Sequence, residues 1–82
     1  MSAEPTEVFA AVTEILAEEA GIDAATITRD TDLAKDLDID SLGLLTIATQ
    51  IEERFPITLE DSLLTKLTTV GQLVDQVCDA QA

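Results

Sequence analysis

Asp40-Ser41-Leu42-Gly43-Leu44-Leu45-Thr46-Ile47-Ala48-Thr49-Gln50-Ile51-Glu52-Glu53-Arg54-Phe55 is the stretch on which the fold turns. Asp and Ser are preferred helix N-caps, and Pro56 disfavours helix at the residue before it. A helix is therefore predicted from Asp40-Ser41 to about Phe55. Each residue advances about 100° around such a helix. On that wheel Leu44, Ile47, Ala48, Ile51 and Phe55 form one stripe, which is assigned to the core. Leu42, Thr46, Thr49 and Glu53 fall opposite, and Leu45 and Glu52 lie on the flank between. A one-sided apolar stripe needs other elements to cover it.

Working outward, a first helix is predicted from about Thr6 to Ala20. Val8, Val12, Ile15 and Leu16 share one face with Phe9 beside them, and Gly21 is a suitable stop. A last helix begins at Thr69 as N-cap, with Val70, Leu73, Val74 and Val77 spaced i, i+3, i+4, i+7. Gly71 weakens its first turn slightly. Ile57-Thr58-Leu59 reads as an extended connector. Glu60-Asp61 then offers acidic residues for the first turn of a short helix through Leu64 or Thr65.

Residues 22–40 hold no sustained period. Ile22, Ile27, Leu33, Leu37 and Ile39 recur irregularly among turn and capping types. So long a loop in a small domain is unusual unless it has a job, and its apolar residues predict packing across the bundle. The fold class expected is all-α. It is a small four-helix bundle, three main helices plus one short one, with a long loop between the first and second helices. One domain over residues 1–82 is expected from the length.

Seventeen acidic and four basic residues leave a formal net charge of −13. Such a surface repels nucleic acid and anionic membranes and suits basic protein surfaces. A hydrophobic content of 46% excludes a disordered acidic tail. No apolar run is long enough to span a membrane. The N-terminus, MSAEPTEVF, lacks the basic region and apolar run of a signal peptide. Cys78 is the one cysteine and there is no histidine. We read Cys78 as an incidental free thiol in a reducing compartment, and the expected location is the cytoplasm. No metal ligand set and no catalytic constellation are expected.

The chemistry lies in Asp36-Leu37-Asp38-Ile39-Asp40-Ser41-Leu42. Taken alone, Asp40-Ser41-Leu42 is what helix capping requires in many proteins. The alternating aspartates suggest a calcium loop, but the sixth position counted from Asp36 is Ser41 where glycine is needed. The twelfth is Ile47 where a bidentate glutamate is needed. Loose divalent binding by the carboxylates stays open. Ser41 has no histidine to activate it, and its acidic neighbours raise the cost of an alkoxide. Any covalent chemistry at Ser41 needs another enzyme.

Asp40-Ser41-Leu42 at the head of the second helix, after a long loop, resembles the attachment motif of acyl carrier proteins. Glu52-Glu53 before Phe55, Thr69-Val70-Gly71 and Leu73-Val74 are also similar to that family, and Asp36–Leu42 resembles its actinobacterial fatty-acid members in particular. The likeness implies that Ser41 receives 4′-phosphopantetheine from coenzyme A, delivered by a magnesium-using phosphopantetheinyl transferase. The arm then holds acyl chains as thioesters for synthases, reductases and dehydratases. Leu42 and Leu45 are the expected docking contacts. Asp40, Glu52 and Glu53 are expected to pair with basic patches on fatty-acid synthase enzymes, although each reads equally as part of a solvated acidic face. A monomer is expected.

The chain departs from the family pattern at Gly43 and Thr46, where acidic residues are common, and at Arg54, which adds a positive charge. Pro56 and Leu59-Glu60 also differ. A polyketide or peptidyl carrier stays open as an alternative, the peptidyl version disfavoured by the charge. A non-carrier acidic interaction protein is the rival from another class; it would need the negative surface but not Ser41.

Overall fold

Pro5 takes the first position of helix α1, Pro5–Ala20. Its missing N–H costs nothing there and its fixed φ suits the turn. The computed structural model describes residues 4–81. Residues 1–3, part of the stretch read for a leader, and Ala82 lie outside that range. α1 thus starts one residue before the Thr6 expected, and ends as expected. Gly21 adopts φ 73° and its N–H donates to the Ala17 carbonyl at 2.8 Å. That left-handed conformation suits glycine.

Helix α2 runs Ser41–Arg54, α3 Asp61–Leu64 and α4 Val70–Gln81. Among the described residues there is no strand, only an isolated antiparallel bridge between Asp32 and Thr69. The chain is therefore all-α, three main helices and one short one, as the periodicities required. The core joins Val8, Val12 and Leu16 of α1, Ile47 and Ile51 of α2, and Val70, Leu73, Val74 and Val77 of α4, all sealed from solvent. Thr13 is the one buried polar residue described, and its hydroxyl donates to the Ala10 carbonyl at 2.9 Å. The helical phase read for α2 holds. Ile47, Ala48 and Ile51 are buried, Leu44 and Phe55 half-buried, and Leu42, Thr46, Thr49 and Glu53 exposed.

The long connection packs across the bundle. Ile27, Leu33 and Leu37 are buried, while Ile22 faces solvent. A single 3-10 turn, Ala24–Thr26, is capped by the Asp23 carboxylate. Further on, the connection pairs with the start of α4. The Leu33 N–H donates to the Thr68 carbonyl, the Val70 N–H to Thr31 and the Gly71 N–H to Arg29, each at 2.9 Å. The first N–H groups of a helix have no intrahelical acceptor. Here the connection supplies acceptors for two of them. Thr69 is the cap expected: its hydroxyl oxygen accepts from the Gln72 N–H, and the Gln72 side chain accepts from the Thr68 N–H. This is a variant of the reciprocal capping box.

Gly71 requires a correction. It does more than weaken a turn, because it is buried and a Cβ there would stand 3.0 Å from the Arg29 carbonyl oxygen. Glycine at this position is what lets the connection approach α4. The Arg29 guanidinium then reaches Asp75 at 2.8 Å and completes the clasp.

Candidate functional site

Asp36, Asp38 and Asp40 lead into α2, and the backbone uses two of their carboxylates. Asp36 accepts from the Asp32 N–H at 2.8 Å, and Asp32 in turn accepts from Ala34 and Lys35. Asp38 stands at φ 55°, a left-handed conformation that Asp tolerates better than most residues. It turns the chain so that Asp40 becomes the N-cap, its Oδ1 accepting from the Gly43 N–H at 2.8 Å. These bonds give Asp36 and Asp40 structural tasks in the approach to α2. Among the described residues no group of three His, Cys, Asp or Glu side chains could hold a metal ion.

Ser41 is the first residue of α2. It is exposed, and its hydroxyl makes no hydrogen bond among the described residues. The local chemistry suits an anionic substituent at this point, because the helix start carries the positive end of the dipole and N–H groups without intrahelical acceptors. Ser41 borders a hollow of about 310 Å³, walled by Leu33, Ile39, Leu44, Leu64 and Leu67, with Asp40 and Thr65 also lining it. It opens where the long connection, α2 and α3 converge. Two other hollows, against Phe9 and Arg29 and between Glu14 and Arg54, lie away from Ser41.

The remaining predicted residues divide into two groups. Leu42 is 75% exposed and Leu45 38% exposed, one turn apart on the outward face of α2, with Glu53 exposed further along. Glu52 differs: it is half-buried, and its carboxylate accepts from the Leu59 N–H at 2.8 Å, holding the connector that leads to α3. Its structural task is internal. Arg54 reaches across to Glu14 of α1 at 3.3 Å, an ion pair on the surface of the bundle.

Sequence reasoning missed the hollow walls Leu33, Leu64 and Leu67. Their apolar character was visible, but their convergence depends on contacts far apart in sequence. Cys78 is half-buried in α4. Burial pushes its thiol up, Asp75 and Asp79 add to the effect, and Arg29 opposes it. A low-pKa reactive thiol is not built there.

A family model described as a phosphopantetheine attachment site matches residues 10–77. The chain is 39% identical over 82 residues to an acyl carrier protein of Beutenbergia cavernae, covering all of both chains. It is 37% identical over 76 residues to one from an Arthrobacter species, covering 93% of this chain and 94% of that one. A solved structure of the acyl carrier protein of Enterococcus faecalis superposes with a TM-score of 0.80 at 26% identity, covering 95% of this chain and 99% of that one. By the family model over residues 10–77 and by these full-length relatives, the chain belongs to the acyl carrier protein family, whose members carry 4′-phosphopantetheine covalently.

Proposed function

We propose that Ser41 is the attachment residue and that the arm it carries presents acyl chains to the enzymes of fatty-acid biosynthesis. The observation that carries this reading is the exposed, unengaged hydroxyl at the head of α2, beside a hollow with several apolar walls. The helix start favours the phosphodiester. The hollow offers an acyl chain a surface away from water, worth up to about 0.8 kcal/mol for each methylene fully buried. Tethering raises the effective concentration of the intermediate at each docked enzyme.

The rest of the chain has supporting tasks. Asp40 caps the helix and fixes where Ser41 emerges. Leu42, Leu45 and Glu53 form the contact surface for a phosphopantetheinyl transferase and for synthases, reductases and dehydratases with basic docking patches. Glu52 steadies that surface through Leu59. The chain catalyses no step itself, since Ser41 has no imidazole to activate it and depends on the transferase. It works as one monomeric carrier domain in the cytoplasm, where Cys78 stays reduced.

The test is peptide mapping. The chain is incubated with coenzyme A bearing a fluorescent thiol label, magnesium and a broad-specificity transferase, then digested. Label is expected on the peptide containing Ser41 and on no other. Label on a different serine, or none on any peptide, would contradict the reading.

A further inference from the structure

From Ser41 to Ile51 the chain carries eleven residues without a charge, although 26% of the sequence is charged. Over this length the outward face of α2 is Leu42, Leu45, Thr46 and Thr49, all exposed. Leu42 and Leu45 are two of the three large hydrophobic residues exposed among those described. The threonines add to the apolar character. Thr46 donates its hydroxyl to the Leu42 carbonyl at 3.1 Å and Thr49 to the Leu45 carbonyl at 3.0 Å, which leaves their methyl groups to solvent. Along the chain, carboxylates flank this run at its two ends, Asp38 and Asp40 before it and Glu52 and Glu53 after it. Asp40 and Glu53 are about 20 Å apart at a rise of ~1.5 Å per residue. Arg54 does not break the pattern, because its guanidinium is turned towards Glu14.

Resting on the assignment of Ser41 as the attachment residue, we propose that this strip selects partner enzymes by their polarity. It fits a docking surface with an apolar saddle in the middle and basic groups at its two ends, about 20 Å apart to match the carboxylates. The acidic ends attract basic groups and steer encounter. The middle does the reverse. A lysine or arginine pressed against Leu42, Leu45 and the threonine methyls would lose its hydration and gain no partner, so a continuous basic patch is disfavoured. Exclusion of wrong partners by an unpaired buried charge is an effective route to specificity.

The experiment compares Thr49→Val with Thr49→Glu, and Thr46→Val with Thr46→Glu at the neighbouring position. The acyl-loaded proteins are assayed for transfer to a purified elongating synthase of a bacterial fatty-acid pathway, at low and high salt. Loading at Ser41 and melting temperature are measured in parallel. The valine variants should keep kcat/KM within about twofold, because they preserve the apolar surface. The glutamate variants should lose about tenfold or more, equivalent to at least ~1.4 kcal/mol. They should still melt like the parent; with excess transferase they are brought to full loading before transfer is measured, and the loss should persist at high salt. Unchanged or faster transfer by the glutamate variants, with loading intact, would overturn the polarity argument alone. An equal loss in the valine variants would overturn it too. Failure of the parent chain to load at Ser41 would instead remove the assignment on which the proposal rests.

Discussion

Two seams of the bundle are built differently. Where α1 meets α4, Val8, Val12 and Leu16 and the partner residues Val70, Leu73, Val74 and Val77 are fully sealed. Where α2 meets α3, Leu64 is sealed, but Leu44 and Leu67 are only half-buried, and a hollow of about 310 Å³ opens between them. Helix α3 is one short turn, and Glu60 before it makes no side-chain cap. The first seam has packing to lose and nothing to admit. The second gives up packing at the point where Ser41 emerges. A small domain can have both only if one side supplies most of the stability, because the total margin is about 5–15 kcal/mol.

The largest expected effect breaks or upholds this contrast directly. Leu16→Ala or Leu73→Ala should cost about 2–5 kcal/mol in urea unfolding, enough to unfold much of the population. Ile51→Ala belongs with them, since its side chain is equally sealed. Leu44→Ala, beside the hollow, should cost less than about 2 kcal/mol because its neighbours have room to adjust. Equal losses on both seams would end the contrast.

A second variant sharpens the account of the α4 side. On helix propensity alone Gly71→Ala should stabilise by up to about 1 kcal/mol. The Arg29 carbonyl reverses the sign: a net loss of about 1–3 kcal/mol is expected, as for other overpacked sites. Stabilisation in thermal melts would show that the connection can yield there.

Loading tests the α2 side. Attaching acyl chains of increasing length should raise the melting temperature stepwise, because a chain held in the hollow binds only the folded state. Hydrogen exchange should slow around α2 and α3 and change little in α1 and α4. A melting temperature that ignores chain length would mean that the hollow stays empty.

Raising salt should also raise the melting temperature, since a net charge of −13 repels itself in the compact state. Flat or falling stability at moderate salt would contradict this. The smallest effect concerns Cys78. With its thiol pushed up by burial, alkylation should be slow near neutral pH and accelerate only above the ordinary thiol range. Cys78→Ser should leave loading at Ser41 unchanged.

Local signals made much of this legible in sequence. The phase of α2, the Gly21 stop, and the Asp40 and Thr69 caps each depend on residues within a few positions of one another. What escaped was non-local. The importance of Gly71 depends on Arg29, 42 residues away. The internal task of Glu52 depends on where the connector brings the Leu59 N–H. The hollow exists because Leu33, Leu44 and Leu64 arrive from three different segments. Burial of Ile27, Leu33 and Leu37 was foreseeable as a tendency, but their partner, the start of α4, was not.

The most direct measurement is intact mass before and after incubation with coenzyme A, magnesium and a broad-specificity phosphopantetheinyl transferase, for the parent chain and for Ser41→Ala. The variant keeps the Asp40 cap, so a stability loss of at most ~1 kcal/mol is expected and it should remain folded. The account predicts that the parent gains the mass of one phosphopantetheine group and the folded variant gains none. A folded variant that still gains the group would contradict it.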